Sequence, residues 1–182
     1  VLRNRTNCDL GFANVHSDFT GNVVVNNYTG STHFLRKGKH YLVTSGTTSY
    51  LPNPSELAIG DSWHGPYTVL GDPHPTDESH TSFHSQISSV FKVPGKKDLY
   101  IACADRWMPN AMDVPYELYA KAFADSFNPD STQEERDAAR SVMRSIPAPR
   151  TCEADYVWLP FRFDGEMAYL DWHDEWRIED YE

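Results

Sequence analysis

The sequence contains no apolar run approaching ~18 residues, which excludes a membrane-spanning helix read from hydropathy. Cysteine is scarce: Cys8, Cys103 and Cys152 are an odd number with no C-x-x-C spacing, so neither a zinc site nor a disulfide framework is spelled out. Cys103, inside "DLYIACADRW", reads as a small buried hydrophobe. Basic residues are outnumbered, 16 Lys and Arg against 26 Asp and Glu, for a formal net charge of -10. No basic face for a nucleic-acid backbone is expected. There is no G-x-S-x-G, no phosphate loop, no dinucleotide fingerprint and no H-E-x-x-H, so phosphoryl and hydride transfer have no motif to stand on. The chain opens on "VLRNRT", with neither Met nor a signal peptide, and its natural beginning is expected elsewhere.

What the sequence does have is length for one domain with a core, 182 residues, and many aromatics, 13%. Rings suit the C–H faces of a pyranose; they also suit β-strands. Strand signals recur at Asp9–Val15, Val23–Val25, His33–Arg36, His40–Thr44, Glu56–Gly60, Tyr67–Leu70, Ser82–Phe91, Asp98–Ala102, Tyr156–Phe161 and Met167–Asp171, with turn chemistry between them. Asp164-Gly165 marks a two-residue hairpin turn. One segment is different: from 116 to 146 the period becomes helical. "STQEERDAARSVMRSI" offers Ser131 and Glu134 as a capping box, with Ala138, Val142 and Ile146 as the apolar stripe. The expected fold is therefore all-β, with a helical insertion around 116–146. "KHYLVTSGTT", "KDLYIACADRW" and "ADYVWLPFRF" repeat a coarse pattern in which an apolar strand runs into a polar, aromatic tip, as in propeller blades. Ten strands are too few to close a ring, so 1–182 reads as part of a propeller domain, with self-association or missing upstream blades expected.

The stretch "TSFHSQISSVF" poses a sharper question. Gln86 sits in the middle of an apolar strand pattern, where a long amide needs several hydrogen bonds or a task. His84, two residues earlier, is expected on the same side of that strand.

"GKHYLVTSGTTSYLPNPSELAIGDSWHGPYTVLG", "SFHSQISSVFKVPGKKDLYIACADRW" and "YVWLPFRFDGEMAYLDWHDEW" together resemble the C-terminal part of glycoside hydrolase family 43, in particular members similar to exo-β-1,3-galactanases. The resemblance implies a five-bladed β-propeller and an inverting glycosidase acting on a plant-type polysaccharide, with β-1,3-galactan the candidate, outside the cell. Inversion needs an acid and a water-activating group about 6.5–9.5 Å apart. The resemblance implies that Gln86 holds the attacking water, and that Tyr50 and Asn53 border the sugar. Arg106 and Trp107 lie at a strand tip where they can contact it; His84 either lines the funnel, binds a central hydrated ion or is a satisfied core histidine. Thr29 falls where the resemblance implies the acid Glu, and Thr cannot protonate a leaving group at ordinary pH. The alternative is therefore a non-catalytic carbohydrate-binding or partial propeller fragment that lacks the general acid. A carbohydrate is the expected partner, with no nucleic acid and no membrane. No cofactor is expected beyond a structural calcium, and no metal-ligating residue is assigned; alternation along a strand puts Asp171, His173 and Glu175 of "DWHDEW" on one face, a geometry a cation could use. A polar tether of the last strand is the other reading of that segment.

Overall fold

A computed structural model describes residues 28–46 and 48–182. The expected strands Asp9–Val15 and Val23–Val25 lie outside the described residues. The remaining eight expected strands all appear: β1 (Tyr28–Arg36), β2 (Lys39–Gly46), β3 (Ser55–Gly60), β4 (Tyr67–Gly71), β5 (Gln86–Lys92), β6 (Tyr100–Arg106), β7 (Asp155–Asp164) and β8 (Met167–Leu170). They form two four-stranded antiparallel sheets, each a simple meander in chain order. Among the described residues the sheets do not close into a ring. The coarse repeat has a structural basis for two of its three copies. "KHYLVTSG" and "YIACADR" are β2 and β6, the second strands of their sheets, whereas "DYVWLPFRF" is a third strand.

The sheets pack face to face. Phe34, Tyr41, Val43, Leu57 and Ile59 from the first meet Ile87, Tyr100, Ala102, Ala104, Val157, Leu159 and Phe161 from the second. Period-2 alternation puts Tyr100, Ala102 and Ala104 on this interface and Ile101 and Cys103 on the other face of β6. Trp176 and Tyr181 from the C-terminal segment pack against that second face. Burial on both faces is why β6 reads as a continuous apolar run, and Cys103 is buried as expected. Phe34 stacks on Tyr41 with centroids 4.8 Å apart and lies 5.3 Å from Phe161.

A charged clasp closes one end. Arg36, at the end of β1, donates from Nε to Asp98 Oδ1 (2.9 Å) and from Nη2 to Oδ2 (2.6 Å), with its guanidinium 3.7 Å from the Phe163 ring centre. The pair ties the first sheet to the β5–β6 turn of the second.

The helical insertion is a hairpin of α1 (Tyr116–Phe127) and α2 (Gln133–Ser145). Its cap is one residue later than the sequence reading. Thr132, not Ser131, accepts from Glu135 N, and Glu135 reaches back to Thr132 N. The stripe shifts likewise: Ala139 is the buried residue of α2, and Met143 packs with Ile146 rather than Val142 and Ala138 forming the face. In the last hairpin Asp164 still pairs with Met167, so the two loop residues are Gly165 and Glu166; Gly165 has φ +60°, which a turn at that place demands.

Candidate active site

Gln86 is the first residue of β5, which is shorter than the sequence suggests: Ser82–Ser85 are not strand. Ser82, Phe83 and His84 have φ of 54°, 56° and 58°. Three consecutive non-glycine residues in the left-handed region cost about 1–2 kcal/mol each. The Ser85 amide donates to Thr81 O (3.0 Å), closing one left-handed turn. Because His84 lies in this turn and not in a strand, the alternation that would have put it beside Gln86 does not apply.

Asp77 compensates the strain. Its Oδ1 accepts from Ser79 N (3.1 Å) and Ser79 Oγ (2.5 Å), and its Oδ2 accepts from Thr81 N (2.9 Å) and Phe83 N (2.9 Å). Burial alone would raise this carboxyl. The hydrogen bonds from Ser79, Phe83 and Thr81 outweigh it and hold the group below the usual carboxylate range. Two further contacts fix the turn. Ser82 Oγ donates to Asn53 O (2.8 Å), and Phe83 is wedged between His74 (5.2 Å) and Trp172 (5.3 Å). Sequence reasoning missed Asp77. The available signal was an Asp with Ser two residues on and Thr four residues on, the spacing of a side chain that caps its own loop.

The turn delivers Gln86 to the β2–β3 connection. Gln86 Nε2 donates to Ser49 O (3.0 Å) and Leu51 O (2.7 Å). Both amide hydrogens are thereby used, so the orientation of the amide is fixed. Among the described residues no donor reaches Oε1. The side chain is half-buried. Its register partner on β6 is Asp105, whose own partner on β7 is Tyr156, so the three residues form one row across the second sheet. Burial raises the Asp105 carboxyl, against a hydrogen bond from Ser88.

The connection that holds Gln86 carries two of the expected sugar contacts, and they differ in kind. Tyr50 is exposed and meets Trp107 edge-on, centroids 5.9 Å apart. Asn53 is 0% exposed. Its Oδ1 accepts from Gly46 N (2.6 Å), and its Nδ2 donates to Gly46 O (2.9 Å) and Thr48 Oγ1 (2.6 Å). Asn53 therefore shapes the loop from within. The helical hairpin supports the same loop from behind. Tyr119 of α1 is fully buried and donates from its hydroxyl to Pro52 O, packing with Leu51, Met108 and Ala111.

Arg106 and His84 complete the group. Arg106 donates from Nη2 to Phe83 O (2.8 Å), and its guanidinium lies 5.8 Å from the Trp172 ring centre. Arg106 Nε and His84 Nδ1 are buried with no hydrogen-bond partner among the described residues. Burial lowers the basicity of both; Asp155 opposes this for Arg106, and Asp77 and Asp113 oppose it for His84. Gln86, Tyr50, Trp107, Arg106 and His84 are thus tied together through two loops and one strand end.

Thr29 lies in β1. Glu56, the one carboxylate between Phe19 and Leu57, is on β3 next to Leu57, whose side chain enters the core. Alternation turns Glu56 to the opposite face, and burial raises its carboxyl. "DWHDEW" is not a strand, since β8 ends at Leu170, so Asp171, His173 and Glu175 do not share a face by alternation. Asp171 is bound by Arg162 (Nε to Oδ2, 2.5 Å), and no cluster of three metal-ligating side chains occurs among the described residues. No helix among the described residues is long and apolar enough to cross a membrane.

No protein-family model and no curated protein matches the sequence. Solved structures do. A GH43 β-1,3-galactosidase superposes with a TM-score of 0.58 at 21% identity, over 85% of this chain and 24% of its own. A second GH43 β-1,3-galactosidase, solved with galactodeoxynojirimycin, gives 0.56 at 21% identity over 83% and 32%. An exo-β-1,3-galactanase from Clostridium thermocellum gives 0.49 at 20% identity over 79% and 23%. On the two galactosidases, most of this chain has the fold of part of a glycoside hydrolase of the GH43 type. The chain spans about a quarter to a third of the length of the two galactosidases.

Proposed function

We propose that this chain carries part of the sugar site of an inverting glycosidase of the family 43 type, acting on a β-linked galactan, with its two sheets as two blades of a five-bladed propeller. The observation that carries the reading is the Gln86 amide. Its nitrogen is locked by Ser49 O and Leu51 O, on the loop that carries Tyr50 against Trp107, and its oxygen is left for a ligand. A carbonyl oxygen held in place can orient a water by accepting its hydrogen bond. Trp107 and Tyr50 give the sugar ring apolar surfaces, Arg106 and His84 offer polar contacts, and Asn53 keeps the loop in shape. The remaining blades, or a second copy, would cover the outer sheet faces. A galactan substrate would place the enzyme outside the cell.

Thr29 favours a second reading, a carbohydrate-binding unit without its own general acid. Incubation with β-1,3-galactan and assay of released galactose separates the two. The hydrolase reading predicts release that Gln86→Ala reduces at least about 100-fold. Retention of the polysaccharide without release supports the binding unit, and neither retention nor release refutes both.

A further inference from the structure

Beside the left-handed turn that carries Gln86, between the two sheets, lies a cavity of about 10 Å³. Its polar wall is Ser55 of β3, His74 of the loop after β4, and Ser82 and Ser85 of the turn; the rest is aliphatic and comes from the second sheet. Every lining residue is buried, so the cavity belongs to the inter-sheet core and not to an outer sheet face. Its volume is about that of one water-sized sphere, too small for any sugar or anion. No carboxylate lines it, which disfavours a cation.

The hydrogens of the polar wall can be assigned one by one. Ser82 Oγ donates its hydrogen to Asn53 O (2.8 Å). In the Ser55–Ser82 hydroxyl pair (2.9 Å) the donor is therefore Ser55. Ser85 Oγ donates to Ser82 O (2.6 Å). The Asp72 carboxylate can only accept, so His74 Nδ1 carries the hydrogen of the neutral ring and donates to Asp72 Oδ1 (3.1 Å). All these hydrogens are spent. Ser55 Oγ, Ser85 Oγ and His74 Nε2 keep lone pairs, and among the described residues no donor reaches them. A buried acceptor without a donor is costly. The ligand that suits three acceptors around so small a space is a donor of two hydrogens, the size of water. We propose that this cavity is the site of one structural water that joins Ser55 of the first sheet and His74 of the 72–74 loop to Ser85, the residue before Gln86. It donates to two of the three acceptors at a time and reaches the third by turning. With Asp77 on its other side, the left-handed turn is then held from two directions. The inference does not depend on the sugar-site reading.

Magnetic relaxation dispersion of the water oxygen nucleus, which does not see serine hydroxyl protons, counts long-lived waters in the whole chain. Two variants fill the cavity from opposite walls: Val157→Ile adds one carbon and keeps every polar group, and Ser55→Val replaces one acceptor by a methyl. Wild type is expected to hold one long-lived water more than either variant. In Val157→Ile the acceptors are left without a hydrogen, so the urea midpoint should fall by about 0.5 M or more. Equal dispersion amplitude in wild type and both variants overturns the proposal. A urea midpoint that rises in Val157→Ile also overturns it, because filling a dry void stabilises a core.

Discussion

Replacing Asp77 by Ala removes four hydrogen bonds from one carboxylate: two from Ser79, one from Thr81 and one from Phe83. A hydrogen bond to a charged group contributes about 1.5–3 kcal/mol. Three of the donors are backbone amides; that of Thr81 precedes the left-handed turn and that of Phe83 is its middle residue. That turn costs about 1–2 kcal/mol at each of Ser82, Phe83 and His84. Without Asp77 the local balance reverses. The loop can recover part of the loss by relaxing, so the net destabilisation expected is about 3 kcal/mol. Asp77→Asn should cost nearly as much. Two amides point at Oδ2, and whichever way the Asn amide turns, an NH₂ faces a donor. Urea denaturation gives the free energy, and amide exchange locates the change, with Thr81, Phe83 and Ser85 losing protection before the β6 core. The pH sign follows from the lowered carboxyl. Stability from Asp77 is complete above the ordinary carboxylate pKa and is lost as pH falls through the lower folded value. A loss below about 1 kcal/mol with unchanged exchange at 81–85 would refute the claim that Asp77 holds this turn.

Arg36→Ala leaves Asp98, at the seam between the sheets, with only the exposed Lys37 (Nζ to Oδ2, 3.4 Å), and should cost about 2 kcal/mol by denaturation, since Asp98 keeps a partner and some solvent contact. His33 accepts or donates one hydrogen bond with His40 (2.9 Å), and burial, then the His40 charge, lowers it to about 4. The unfolded chain binds the proton more readily, so stability should fall as pH drops from 6.5 towards 4, and His33→Asn should flatten that limb of a pH–stability curve. Tyr119→Phe removes the buried bond to Pro52 O, and should raise the Michaelis constant or dissociation constant for sugar severalfold by loosening the Tyr50 loop, with a stability loss of about 1 kcal/mol.

Much of the fold was legible because it follows from side-chain period. β2, β3, β6 and β7 alternate or run apolar, and the helical hairpin changes period sharply at Tyr116. The errors share a cause. "SFHS" has strand composition, but Asp77 and the Asn53 carbonyl hold it in the left-handed region, an interaction between distant residues that no local pattern reveals. Ser131 and Thr132 both begin a capping-box pattern, with Glu134 and Glu135 three residues on, and only the contacts of the folded chain decide for Thr132. Gln86 stood out because an amide is out of place in an apolar strand pattern, and the structure gives it two loop carbonyls as partners. Asn53 was singled out for its polar atoms, yet those atoms all serve the loop. Composition alone does not distinguish a residue that faces a ligand from one that braces the residue beside it.

The central claim is that the oxygen of Gln86 orients water for attack on a β-linked sugar from the face opposite the leaving group. Proton NMR of the first turnovers on β-1,3-galactotriose, followed at the anomeric signals, tests it most directly. The account predicts that α-galactose appears first and that Gln86→Ala suppresses its formation. Initial release of β-galactose, or cleavage by Gln86→Ala at the wild-type rate, would contradict it.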